Sequence, residues 1–150
     1  MAEVYSAPRV TKALELLPGL GLLPGFALDL ATTDENGEEY DFTKKHMRDK
    51  ARRKVEEEKP YCLIGSPSCT AYCSYQALDA ARHQWSDEEI RRIHAAANVH
   101  LNFVCELYKI QFKNGKYFLH ENFGSATSRK LLYIQDLFAH DNVERVLGDQ

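Results

Sequence analysis

Hydrophobic positions along the chain fall into two kinds of run, and their alternation sets the expected architecture. Pro8–Leu17 reads as a short helix with Pro8 in its first turn and Ser6 as a possible cap. Leu17–Gly25 is a Pro/Gly connector. Phe26–Ala31 is a short continuous apolar run, the pattern of a strand buried on both faces. The basic run Lys44–Lys54, followed by Glu56, Glu57 and Glu58, forms the next helix, which Pro60 ends. Tyr61–Ser66 is the clearest strand.

Ser86 and Glu89, three residues apart, form a capping box that opens a long amphipathic helix. Its inner stripe is Ile90, Ile93, Ala97, Leu101, Val104, Tyr108 and Phe112, at steps of three and four. Asn114-Gly115 stops it. Lys116–Asn122 then reads as a strand, Thr127–Phe138 as a helix and Val143–Gly148 as a last strand. The sequence therefore predicts an α/β domain of the order β-α-β-α-β-α-β, with about four parallel strands in a Rossmann-like sheet and crossover helices. Residues 1–25 are expected to be an N-terminal helix and connector, and residues 26–150 a partial domain that ends directly behind a strand.

Composition narrows the class. At 44% hydrophobic and 27% charged, the 150-residue chain has an ordinary globular composition and the length of about one domain. No apolar run reaches the roughly 20 residues that cross a bilayer. The first ten residues lack a charged-then-apolar leader, so an intracellular setting, nuclear or cytoplasmic, is expected. The formal charge of −3 gives no support to a general grip on DNA. The basic run is read first as a solvated helix face.

Open parallel sheets bind ligands beyond the carboxyl ends of their strands. Asp29, the Ser-Pro-Ser-Cys loop and the His-Glu-Asn turn all fall at such ends. This places Cys69 and Glu121 on one crevice. Cys62 and Cys105 read as core thiols, whereas Cys69 and Cys73 lie in a polar loop where a thiol is available for chemistry.

Residues 64–73, Ile-Gly-Ser-Pro-Ser-Cys-Thr-Ala-Tyr-Cys, resemble the nucleophile loop of the cytosine-5 DNA methyltransferases, usually Pro-Pro-Cys-Gln-x-Phe-Ser. Residues 117–122, Tyr-Phe-Leu-His-Glu-Asn, resemble that family's Glu-Asn-Val element. Ala-Leu-Asp-Leu (27–30) resembles its cofactor-proximal strand, and the likeness extends over Phe26 to Phe123. The chain also resembles methyltransferase-like segments of mobile-element reading frames.

The resemblance implies an S-adenosylmethionine-dependent domain acting on DNA. Cys69 would be the nucleophile adding to carbon 6 of a flipped-out cytosine, and Glu121 would share a proton with ring nitrogen 3. Asp29, Asp41, Ser66 and Pro67 would face the cofactor, and Thr70 and Asn122 the substrate. Ser68, Thr70, Tyr72, Cys73 and Phe123 depart from the family pattern. The run from Phe26 enters Ala-Thr-Thr-Asp-Glu-Asn without the family's glycine turn, and Asp29 to Cys69 spans one βα unit too few. The expectation is therefore a divergent or truncated domain. The alternatives are a non-enzymatic interaction or polyprotein module, a zinc site drawn from Cys69, Cys73, His83 and His120, and a cysteine hydrolase pairing Cys69 with His120.

Overall fold

A computed structural model describes residues 1–148, with the backbone alone for Ser74 and Ala77. Four strands form one sheet in which every pairing is parallel: β1 Ala2–Val4, β2 Ala27–Leu28, β3 Cys62–Gly65 and β4 Tyr117–His120. Among the described residues five α-helices accompany them: α1 Val10–Glu15, α2 Lys45–Glu58, α3 Ser74–His83, α4 Asp87–Lys113 and α5 Leu132–Phe138. The α/β class with a four-stranded parallel sheet is thus as expected.

The strand order is β2-β1-β3-β4. The chain moves from β1 outward to β2, crosses back past β1 to β3, and continues outward to β4. The direction reverses between β1 and β3, the kind of switch point at which ligands bind in open α/β sheets. Register is set by Glu3 opposite Ile64 and by Gly65 opposite His120.

Two of the expected elements differ. The first strand is Ala2–Val4, inside the segment read only as an N-terminal helix and connector. Its pattern is hidden because Glu3 stands in the middle of it, yet Glu3 is 1% exposed. Conversely, Val143–Gly148 is not a strand. Val146 and Leu147 are 84% and 73% exposed there, so its apolar residues find no sheet to join. The count of four strands survives because one was missed and one was wrongly placed.

Backbone contacts divide the chain into two compact units. The first comprises Met1–Pro67 and Glu106–Glu121, and contains the whole sheet with α1, α2 and the end of α4. Met47, Ala51 and Val55, four residues apart on α2, are fully buried, as are Val4, Leu63 and Tyr108. Each large apolar side chain buried in this way contributes roughly 1.5–3 kcal/mol. Lys59 ends α2 with φ +43 just ahead of Pro60, and Gly115, at φ +64, follows α4.

The second unit comprises Ser68–Cys105 and the chain from Asn122 onward. Its core holds Tyr72, Leu101, Phe103, Cys105, Ile134 and Leu137. The capping box is formed reciprocally: the Ser86 amide donates to Glu89 Oε2 at 2.7 Å, and the Glu89 amide donates to Ser86 Oγ at 3.2 Å. This start for α4 was legible because both residues satisfy helix-end donors. Helix α3, by contrast, was unexpected. Among the described residues no helix is long and apolar enough to cross a membrane.

Candidate functional site

In the first unit, the carboxyl ends of β3 and β4 carry the tightest polar constellation. Ser66 immediately follows β3 and Glu121 immediately follows β4. Because Gly65 pairs with His120, the next residues stand opposite each other, and the Ser66 hydroxyl donates to Glu121 Oε2 at 2.8 Å. The Glu121 amide also donates to the Gly65 carbonyl at 3.0 Å, which holds the strand end in place. Pro67 is buried next to Ser66.

Beneath this pair lies Tyr108 of α4, fully buried. Its ring stacks on Phe118 at 4.6 Å. Its hydroxyl donates toward the Gly65 carbonyl at 3.2 Å and lies 3.4 Å from the Leu119 carbonyl and 3.1 Å from His120 Nδ1. Burial holds the His120 imidazole down to about 4, so the ring is neutral at pH 7. His120 Nε2 is buried with no partner among the described residues.

The β1 end is organised by an internal carboxylate. Glu3 accepts from the amides of Val10 (3.1 Å) and Thr11 (2.8 Å) and from the hydroxyls of Thr11 (2.8 Å) and Ser6 (3.1 Å). Burial pushes its carboxyl up, but the hydrogen bonds from Thr11, Val10 and Ser6 outweigh this and leave it below its ordinary value. The amides that a doubly wound fold often turns toward a phosphate are here taken by the chain's own anion. Tyr5, next in the turn, adopts φ +58, a left-handed conformation usually left to glycine.

Asp29 follows β2, beside β1. Its Oδ1 accepts from the Ala31 amide at 3.0 Å, and Oδ2 has no partner among the described residues. Asp41 stands in the turn leading to α2, where its Oδ1 accepts from the Thr43 amide (2.9 Å) and hydroxyl (2.6 Å). Asp29 therefore keeps a free oxygen at a strand end, whereas Asp41 shapes a loop entry.

The second unit holds the cysteine loop. Cys69 has φ −98 and ψ 5, in the sparsely populated bridge region where many active-site residues sit. Its thiol is half-buried and makes no hydrogen bond among the described residues. The loop continues into a 3-10 turn, Thr70–Tyr72, closed by the Tyr72 amide donating to the Cys69 carbonyl at 2.8 Å. Thr70 Oγ1 lies 3.1 Å from Ser68 Oγ, and the Cys73 thiol donates to the Thr70 carbonyl at 3.1 Å.

Tyr72 anchors this turn on α4. Its hydroxyl donates to Asn98 Oδ1 at 2.8 Å, and its ring stacks on His94 at 4.9 Å. Tyr133 of α5 donates to the same Asn98 oxygen at 2.7 Å. Asn122 Nδ2 donates to Ser128 Oγ at 2.9 Å, and Asn122 Oδ1 accepts from the Phe123 amide at 2.8 Å. Both polar ends of Asn122 are thus engaged in local structure.

Cys69 belongs to the second unit and Glu121 to the first, so each is characterised by its own surroundings. The structure joins Ser66 with Glu121. Sequence reasoning did not single out Tyr108, Asn98 or Glu3 as polar organisers. Tyr108 read as one more apolar step in the α4 stripe, and only its hydroxyl distinguished it.

Most of the basic run on α2 is paired: Lys44 with Glu38, Lys45 with Asp49, Lys50 with Asp34 and Glu35, Arg52 with Asp49 and Glu106, and Lys54 with Glu58. That fits a salt-bridged helix face rather than a phosphate track. Among the described residues no group of three or more His, Cys, Asp or Glu side chains is placed to hold a metal ion. Comparison of the chain with protein-family models, with curated proteins and with solved structures returns no match.

Proposed function

We propose that the chain is a divergent cytosine-5 DNA methyltransferase-like domain that uses S-adenosylmethionine. The observation that carries this reading is the Ser66–Glu121 hydrogen bond at the carboxyl ends of β3 and β4. It gives a carboxylate a fixed orientation at the edge where parallel sheets bind ligands. Two sequence features add to it: a cysteine in the loop after β3, and the Glu-Asn pair after β4.

The residues fit a phosphate-free cofactor. Glu3 accepts from the Val10 and Thr11 amides at the α1 end, which disfavours a pyrophosphate there, while Asp29 Oδ2 has no partner among the described residues. In this reading Asp29 holds ribose hydroxyls, and Ser66 and Pro67 line the cofactor side. The β1 strand adds a βα unit ahead of Asp29, while the Asp29–Cys69 interval itself keeps its departure from the family spacing. Tyr5 adopts the left-handed turn for which the family uses glycine. When bound, the cofactor supplies an electrophilic methyl group.

The chain's own groups do the rest. The Cys69 thiolate adds to carbon 6 of the cytosine, and the Glu121 carboxyl shares a proton with nitrogen 3 to accept the developing ring charge. Carbon 5 would become nucleophilic toward the methyl group that the cofactor would supply. Loss of the carbon 5 proton to solvent water would then expel the Cys69 thiolate and restore the ring. The base must be flipped out for either face to be reached.

Isothermal calorimetry tests the cofactor half of the proposal. S-adenosylmethionine binds the wild-type chain, and Asp29→Ala weakens binding by about ten-fold, the scale of one lost charge-assisted hydrogen-bonding group. No heat at millimolar cofactor would favour the second reading, a non-enzymatic interaction module. A specific observation favours that reading too: Leu16, Leu17, Leu20 and Leu23 are 82%, 52%, 59% and 82% exposed in one short segment, as interaction surfaces are.

A further inference from the structure

We infer that Tyr108 is a positioning residue for the Ser66–Glu121 pair, acting through the ends of β3 and β4 and through a fixed tautomer of His120. The inference rests on reading Glu121 as the working carboxylate of the proposed site.

The argument starts from proton counting. The Tyr108 hydroxyl has one proton, and near it lie the carbonyls of Gly65 and Leu119, which only accept, and His120 Nδ1. If the hydroxyl donated to Nδ1, the proton of the neutral imidazole would sit on Nε2, a buried N–H with no partner among the described residues, and both carbonyls would lose the donor. If it donates to Gly65, Nδ1–H can donate to the phenol oxygen, and Nε2 is left with only a lone pair. Orphaned buried N–H groups are rarer and costlier than under-used acceptors. The geometry thus selects the Nδ1–H tautomer.

The consequence is local and specific. Gly65 precedes Ser66, and His120 precedes Glu121. The Gly65 carbonyl accepts from both the Tyr108 hydroxyl and the Glu121 amide. One buried hydroxyl therefore fixes the residue before each member of the pair. Burial also keeps His120 neutral at ordinary pH, so the arrangement persists where the site would work.

The test uses NMR of the full chain, with no cofactor or DNA, so it can fail independently of the methyltransferase reading. In wild type the His120 15N shifts should report Nδ1–H, and an Nε2–H tautomer would overturn the inference. The Glu121 carboxyl 13C signal, assigned by its loss in Glu121→Gln, should move in Ser66→Ala. Tyr108→Phe should move it in the same direction by about half as much or more, and add little in the Ser66→Ala background, as expected for coupled groups. A folded Tyr108→Phe chain with the Glu121 signal unmoved would overturn the inference. Should Tyr108→Phe not fold, His120→Gln serves with the same readout: displacement of the Glu121 signal supports the inference, and an unmoved signal overturns it.

Discussion

Ser66 and Glu121 stand just beyond the ends of neighbouring parallel strands, one residue past a paired glycine and histidine, and share a hydrogen bond of 2.8 Å. The register of β3 against β4 creates this relationship. A slip by one residue would turn the carboxylate to the other face of the sheet.

Removing the donor should affect chemistry more than folding. Ser66→Ala is expected to change stability by no more than about 1 kcal/mol, the net worth of one such bond near solvent. The rate of covalent capture by fluorocytosine DNA should fall by about ten-fold or more, the scale of a misplaced proton-sharing group. Urea denaturation and a timed capture assay measure the two quantities. Equal capture rates in the two chains would place Ser66 outside the machinery.

Glu3 makes a different prediction because it is buried and saturated with donors. Glu3→Ala leaves the Val10 and Thr11 amides and the Thr11 hydroxyl without their acceptor, while the Ser6 hydroxyl keeps the Ala7 carbonyl at 2.9 Å. A loss of roughly 2–4 kcal/mol is expected from charged hydrogen bonds and unsatisfied buried donors. The folded-state value is depressed, so Glu3 contributes stability above the unfolded carboxyl range, and that contribution is lost as pH falls through the folded value. Glu3→Gln should flatten this acid limb in denaturation curves taken at falling pH. An unchanged acid limb would refute the assignment.

His120 governs a separate window. Its folded value lies near 4 because of burial, below the unfolded value of about 6.5. The unfolded chain binds the proton first, so stability is full above the unfolded value and declines as pH drops from about 6.5 toward 4, by on the order of 2–3 kcal/mol. In His120→Gln this component disappears. Urea midpoints at pH 7, 5.5 and 4 distinguish the two chains, and parallel pH profiles would contradict the burial of a neutral imidazole.

Legibility in the sequence followed how much each residue's local pattern agreed with its tertiary role. Helix α2 was readable from its basic run and the stop at Pro60, and α4 because its apolar steps, cap and stop agree with one another, as Ser86, Glu89 and Gly115 illustrate. Strands β3 and β4 were readable from short apolar runs. Strand β1 was not, because Glu3 breaks its apolar pattern and only the donors of the following turn explain its burial. Val143–Gly148 misled for the opposite reason, with β-branched and apolar residues but no partner strand. Glu121 and Ser66 were legible as site candidates from topology. Their bond depends on the register of β3 and β4, and Tyr108's part depends on a hydroxyl that the spacing of apolar residues does not reveal.

The central claim is a cysteine-based attack on cytosine, and covalent capture tests it most directly. The full chain is incubated with S-adenosylmethionine and duplex DNA containing 5-fluorocytosine, in which fluorine blocks the final elimination. The account predicts a denaturant-resistant protein–DNA adduct that is absent in Cys69→Ala and slowed in Glu121→Gln. No adduct with a folded, cofactor-binding wild-type chain, or an adduct that persists in Cys69→Ala, would contradict it.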